Sequence, residues 1–270
     1  MAPDLSVEVF VGSAEGLRST SAIITGERDA VLVDVQFLLT DAHRLAADVL
    51  DTGKNLKTIY VTHSHPDHWF TLSLFAYQFP DVRMVAIPEV AQQIQEIRQK
   101  KVDQWRPVFG AKVPSDPIAP EPMEGMTLDL EGETLEIQYL DWADEKPATT
   151  VWVPSLKTLV AADLAFNGTH LYVGSHDADA RKRYLENVIA MGDLGASRII
   201  PGHKATSDSS EDPDEVIAWT RGYLETFEKL FEESPDEETF NARVAETWGD
   251  IPLEFCVPIN AAAAWRGEYF

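Results

Sequence analysis

Cysteine and basic side chains are both scarce in this 270-residue chain. The single cysteine, Cys256, excludes an internal disulfide and any zinc or iron–sulfur site built from several cysteines. Lys and Arg number 22 against 45 Asp and Glu, which gives a formal net charge of −23. That charge argues against a nucleic-acid-binding groove, which needs a basic surface, and against docking on an anionic membrane.

Long apolar runs are missing as well. No stretch approaches the roughly 20 apolar residues that cross a bilayer. The segment Met1–Phe10 carries Asp4 and Glu8 instead of the basic and apolar regions of a signal peptide. We therefore expect a cytoplasmic protein that acts on a small-molecule substrate, and homo-oligomerisation stays open.

Short β-branched runs and helical patterns divide the chain into two similar halves. The stretches 5–87 and 126–204 are each rich in predicted strands, and each ends in helical sequence. Two such halves predict an α/β fold, a four-layer αββα sandwich. We expect this domain to span residues 1–210, with a C-terminal helical extension, 211–270, packed on it. Between the halves, five prolines in Trp105–Glu124 predict an irregular surface loop.

One segment carries a strong chemical signal. Directly after the predicted strand Thr58–Thr62 come His63, His65, Asp67 and His68. Residues two apart on a strand face the same side, so His63 and His65 can point at one metal ion. A proline then ends the strand, and Asp67 and His68 can turn to a second point nearby. Imidazole and carboxylate are ligands that suit zinc or iron.

Two further candidate ligands follow predicted strands. Asp163 comes after Thr158–Ala161, and His203 comes after Arg198–Ile200 and a Pro-Gly pair. Together with the first segment, this order resembles the signature of the metallo-β-lactamase superfamily: His-x-His-x-Asp-His, then Gly-His, then Asp, then Pro-Gly-His. The resemblance covers about residues 5 to 205. It implies the αββα sandwich with a two-metal site at one edge.

The resemblance also implies how the ligands divide between the two ions. The first ion takes His63 and His65, the second takes Asp67, His68 and His203, and Asp163 bridges both. Asp34, at the end of the third predicted strand, would orient a ligand histidine. Two divalent metal ions are therefore expected as cofactors, with zinc as the leading metal and iron or manganese as alternatives.

The third ligand of the first ion departs from the family's pattern. Counting back from Pro154 places Asp144 where the histidine of the Gly-His pair would stand, and no histidine occurs between His68 and His170. Asp144 is therefore the expected ligand, with Glu145 as the alternative if the alignment shifts by one residue. An extra carboxylate makes the site less positive, so it activates water less and favours harder ions. A site weakened to a single metal is the competing interpretation.

The resemblance implies a metal-dependent hydrolase in which a metal-bound hydroxide attacks an ester-like bond, and we favour a lactone or thioester over a β-lactam. Asp67 is a candidate proton acceptor, and Tyr172 and His170 are candidate donors to the developing oxyanion. Lys204 could bind an anionic group or lie in a solvated turn, and His176 is expected at the surface. Two other classes stay open: an iron-dependent redox or oxygen-handling protein, and a non-catalytic binding protein with a degenerate metal site.

Overall fold

The computed structural model describes residues 4–269, which form two β-sheets. The first sheet consists of β1 (Ser6–Val11), β2 (Thr20–Thr25), β3 (Asp29–Val33), β4 (Asn55–Tyr60), β5 (Arg83–Ala86) and β6 (Glu121–Pro122), adjacent in that order. The second consists of β7 (Thr127–Leu130), β8 (Glu133–Leu140), β9 (Ala148–Val153), β10 (Thr158–Asn167) and β11 (Arg198–Lys204), also adjacent in chain order.

Eight α-helices accompany the sheets in the described part of the chain. They are α1 (Leu39–Asp51), α2 (Pro66–Trp69), α3 (Leu72–Gln78), α4 (Pro88–Phe109), α5 (Ala178–Met191), α6 (Pro213–Glu233), α7 (Glu237–Trp248) and α8 (Cys256–Arg266). None of the described helices is long and apolar enough to cross a membrane.

Parallel pairing brings the loops of the site together. Strands β3 to β6 pair in parallel, so the carboxyl ends of β3 and β4 share one edge of the first sheet. Strands β10 and β11 are also parallel, which places their carboxyl ends at one edge of the second sheet. The two edges lie side by side, because Ser19, just before β2, forms an isolated β-bridge with His203 of β11.

Side chains of the second sheet alternate between two hydrophobic cores. Ile137, Val151 and Val160 belong to the core that this sheet shares with the first sheet and with helices α1, α3 and α4. Trp152 and Leu159, on the opposite face, pack in or against a core formed with the helices α5 to α8. Because successive strand residues face opposite sides, one sheet closes two cores. The predicted αββα sandwich with a C-terminal helical extension is confirmed.

Two sequence predictions about local structure were wrong. The segment Trp105–Glu124 is not all loop, because α4 continues to Phe109 and β6 pairs with β5. Pro107 lies in the last turn of α4, where a proline removes only one backbone hydrogen bond. Strands β10 and β11 are longer than predicted, so Asp163 and His203 lie within strands and not beyond them.

Candidate metal centre

The histidine-rich segment occupies a turn and a short helix. The sequence predicted that His63 and His65 extend a strand, but β4 ends at Tyr60 and neither histidine is on it. They lie in the connection to α2, and His65 is the residue that precedes the first turn of this helix. Asp67 and His68 belong to α2 itself and are buried. The tight turn, and not strand alternation, brings the four side chains together.

Four of the predicted ligands form a first cluster: His63, His65, Asp144 and Asp163. The Nε2 atom of His63 lies 3.7 Å from Oδ1 of Asp144 and 3.8 Å from Oδ2 of Asp163. The Nδ1 atom of His65 lies 2.6 Å from Oδ2 of Asp144. One donor atom of each side chain can thus face a common point.

The other three predicted ligands, Asp67, His68 and His203, form a second cluster beside the first. Oδ2 of Asp67 lies 3.5 Å from Nε2 of His68 and 3.3 Å from Nε2 of His203. The carboxylate of Asp163 reaches this cluster too, 3.2 Å from Nε2 of His68 and 3.1 Å from Nε2 of His203. Asp163 therefore lies between the two clusters, where a bridging ligand would stand.

The donor atoms of these clusters have the character of a cation site. Nε2 of His63, Nε2 of His68, Oδ1 of Asp144 and Oδ1 of Asp163 are buried and have no hydrogen-bond partner among the described residues. A buried polar atom without a partner costs roughly 1–3 kcal/mol. Four such atoms in one place are accounted for when divalent cations accept their lone pairs, and nitrogen with carboxylate oxygen is a donor set that suits zinc, iron or manganese. The residues present fit the metal ions that the sequence implied.

Neighbouring hydrogen bonds fix which nitrogen of each histidine faces the site. Asp34 accepts bonds from the Thr62 amide at 2.8 Å and the Thr62 hydroxyl at 2.7 Å, and its Oδ2 lies 2.9 Å from Nδ1 of His68. His203 donates from Nδ1 to the Leu17 carbonyl at 2.8 Å. Both histidines are thereby held with Nε2 directed into the clusters, which is the usual function of groups that contact metal ligands. Asp34 thus lies where the sequence reasoning expected it.

His65 lies between two consecutive carboxylates. Asp144 contacts its Nδ1, whereas Oε2 of Glu145 lies 3.2 Å from its Nε2, on the other side of the ring. Of the two alternatives for the third ligand, Asp144 therefore belongs to the cluster, and Glu145 orients His65 from outside it. His176 is buried, not at the surface as expected, and its Nε2 donates to the Ala143 carbonyl at 2.6 Å. This bond anchors the loop that presents Asp144.

The pKa values of two clustered side chains are raised, so both bind protons more tightly than usual. Burial raises the pKa of Asp144 to about 8, although His65 opposes this shift. Burial disfavours protonation of His203, but the carboxylates of Asp163 and Asp67 outweigh it and raise the pKa of His203 to about 10. Protons thus take the place of cations when no ion is present, and ion binding must release them.

Strand β10 is distorted where it presents the Asp163 carboxylate. Its pairing with β11 shifts register on both sides of Ala162, a residue held at φ +45°, just before Asp163. Across the pair, a Cβ atom on Gly202 would lie 1.8 Å from Oδ1 of Asp163. Glycine is therefore required at position 202, because the carboxylate occupies the space of a side chain. This contact explains the glycine of the Pro-Gly-His sequence.

A cavity of about 360 Å³ opens above the clusters and is bordered by His65, Asp67, Asp144, Asp163 and His203. Tyr172 lines it, and its ring meets the ring of His65 edge-on at 5.0 Å between centroids. Its apolar border comes from α4 and from the segment before and within α8, and includes Ile97, Trp105, Leu253, Phe255 and Ile259. Sequence reasoning missed the contribution of α4, including Lys101.

Two residues singled out from the sequence lie away from this cavity. His170 is buried, and its Nδ1 lies 2.9 Å from the hydroxyl of Tyr223. Burial lowers the pKa of His170 to about 4, so it is a neutral core residue that does not line the cavity. Lys204 is also buried and pairs with Glu211 at 2.7 Å, so it neither binds an anion in the cavity nor lies in a solvated turn.

Comparison with known proteins agrees with this geometry. The family model of the metallo-beta-lactamase superfamily matches residues 14–203, which contain all seven clustered side chains. The chain belongs to the metallo-beta-lactamase superfamily. No curated protein matches it.

Solved structures of this superfamily share the fold at low sequence identity. A metallo-beta-lactamase from Pontibacter korlensis is 17% identical, with a TM-score of 0.60 over 83% of this chain and 96% of that one. A metallo-beta-lactamase family protein from Thermus thermophilus is also 17% identical, with a TM-score of 0.64 over 94% and 92%. The metallo-beta-lactamase DIM-1 is 20% identical, with a TM-score of 0.59 over 84% and 99%. Similarity at this level establishes the fold and leaves the substrate open.

Proposed function

We propose that this protein is a binuclear metal-dependent hydrolase that cleaves an ester-like bond, a lactone or thioester, in a small molecule. The observation that carries the proposal is the convergence of four buried, unpartnered donor atoms beneath a cavity. Membership of a superfamily whose solved members include metallo-beta-lactamases agrees with it. Zinc is the proposed metal, since four of the seven clustered side chains are histidines and the other three are aspartates.

Each group of residues has a distinct proposed task. His63, His65 and Asp144 would hold one ion, Asp67, His68 and His203 would hold the other, and Asp163 lies between the two sets of ligands. Two bound divalent cations would activate a water molecule and polarise the carbonyl of the substrate.

The remaining steps are proposed for the chain's own groups. Asp67 accepts the proton of the attacking water, whose oxygen joins the acyl carbon. The carbon–oxygen or carbon–sulfur bond then breaks, and the proton passes to the leaving oxygen or sulfur. Tyr172 donates a hydrogen bond to the carbonyl oxygen as negative charge builds up on it, since its ring lines the cavity beside His65.

The cavity supports small acyl compounds over nucleic acids and other phosphodiesters. Its volume of about 360 Å³ is at the lower end of the roughly 300–1,000 Å³ range of small-molecule sites. Aromatic and aliphatic side chains form much of its border, and Lys101 is the one Lys or Arg among its described lining residues. A polyanion would meet a chain of net charge −23 without the basic surface it requires.

Turnover of a mixed panel by the zinc-loaded protein tests this function. The panel contains a γ-lactone, an acyl thioester, a β-lactam and bis(p-nitrophenyl) phosphate, and we expect hydrolysis of the first two. His63→Gln should abolish it, whereas His43→Gln, the same change at an exposed position of α1, should leave it unchanged. Activity on none of the four compounds, or substrate-dependent oxygen uptake by an iron-loaded protein, would contradict the proposal.

A further inference from the structure

A charged residue interrupts the apolar side of α4 where this helix covers the cavity. Val90 and Ile94 are buried in the core, and Ile97, one turn later, borders the cavity. Lys101 and Trp105 continue the same stripe at helical spacing and also border the cavity. The position of Lys101 would ordinarily be apolar, and a lysine there has to be explained.

Within residues 4–269, the Lys101 ammonium group makes no hydrogen bond and no ion pair at contact distance, although the side chain is half-buried. The carboxylates of Glu145 and Asp67 act on Lys101 electrostatically, but Glu145 contacts His65 and Asp67 contacts His203 of the second cluster. Burial lowers the pKa of Lys101 against the opposing pull of these carboxylates, which agrees with a cation partly withdrawn from water. An anionic ligand in the cavity could form the ion pair that the ammonium group lacks.

We propose that Lys101 binds a carboxylate of the substrate, so that the preferred ester carries an apolar segment and one negative charge. This inference rests on the proposed function and names its substrate class. The apolar segment would lie between Ile97 and Trp105 of α4 and the opposite wall at Phe255 and Ile259.

A carboxylate fits this site better than a phosphate does. A phosphoryl group carries about −1.5 to −2 charge and is usually held by several N–H donors or by an arginine fork. The described cavity lining offers one ammonium and no arginine. The same lining contains the carboxylates of Asp67, Asp144, Glu145 and Asp163, so a ligand with one negative charge is repelled less than one with two.

Binding of two eight-carbon probes to the zinc-loaded protein tests the proposal without turnover. We expect Lys101→Met to weaken octanoate binding by about 10- to 100-fold, the range of a charge-assisted hydrogen bond. Binding of the neutral octanamide should change less than about twofold, and Lys101→Arg should retain most of the octanoate affinity. Methionine is a good helix former of similar length, so the variant should fold.

Lys100 provides the matched control. It is exposed on the same helix and does not border the cavity, so Lys100→Met removes the same charge without touching the site. Equal octanoate affinity in wild type and Lys101→Met would show that the carboxylate binds the metal ions alone and would overturn the proposal. An equal loss in Lys100→Met, or no octanoate binding to wild type at millimolar concentration, would also overturn it.

Kinetics separates this inference from the function on which it rests. With monomethyl suberate as substrate, Lys101→Met should lower kcat/KM by about 10- to 100-fold through KM, whereas with dimethyl suberate it should have little effect. Absence of turnover of both suberate esters and of all four panel compounds would refute the hydrolase proposal, while the octanoate measurement would still decide whether Lys101 is a carboxylate site.

Discussion

Replacement of Gly202 by alanine tests the geometry of Asp163, the carboxylate proposed to bridge the two ions. The added Cβ would lie 1.8 Å from Oδ1 of Asp163 and 2.6 Å from the backbone carbon of Ala162. The carboxylate must therefore move by about 1.6 Å to reach an ordinary contact of 3.4 Å, and metal–ligand distances tolerate changes of only about 0.2 Å. We expect Gly202→Ala to lose most of its affinity for both ions and to lose about 1–3 kcal/mol of stability through overpacking.

Thermal unfolding with and without zinc, together with elemental analysis, measures both effects. In wild type, zinc at 100 times its dissociation constant should stabilise the fold by about 2.7 kcal/mol for each ion bound, and this increment should disappear in the variant. Gly222→Ala is the control, because it lies inside α6 with no atom within 4 Å of the added Cβ. That change should stabilise the helix by about 0.5–1 kcal/mol and leave metal content unchanged. A Gly202→Ala variant with wild-type metal content would refute the reasoning.

The same site supports three further predictions. Asp144→His replaces an oxygen donor by nitrogen and should raise zinc occupancy of the first cluster relative to manganese in a competition assay; an unchanged metal ratio would count against Asp144 as a ligand. Tyr172→Phe should lower kcat by about 10²- to 10³-fold with metal content and KM unchanged, and wild-type turnover would remove the oxyanion role. The pKa of His203 in the metal-free fold is about 10, above its ordinary 6.5, so the folded state binds the extra proton and its stability should fall as pH rises from 6.5 to 10. Thermal unfolding should show this decline in metal-free protein and not in zinc-loaded protein, and a metal-free midpoint that rises with pH would contradict the assignment.

The fold and the side chains of the two clusters were largely predictable because much of their sequence signal is local. His63, His65, Asp67 and His68 are close in sequence, and a strand precedes them as predicted, although it ends two residues earlier. The strands of each sheet are also consecutive along the chain, since the first sheet contains β1 to β6 and the second contains β7 to β11. Glu145 and Asp144 could not be separated from the sequence, because which of two adjacent carboxylates enters a cluster depends on the backbone of the loop.

The rest of the site depends on tertiary packing. Trp105 lines the cavity from within α4, whereas the sequence predicted that a loop begins at this residue. His170 looked accessible in sequence but points to Tyr223 in the core. No local pattern states which helix will cover a cavity, although a lysine within an apolar stripe is a signal that could have drawn attention to Lys101.

The number of divalent ions bound per chain tests the central claim most directly. Titration of zinc into metal-free protein, with elemental analysis of the product, should give about two ions per chain in wild type. Asp163→Ala, which removes the carboxylate between the two clusters, should bind well under one ion per chain. Wild-type protein that binds well under one ion, or an Asp163→Ala variant that still binds two, would contradict the account.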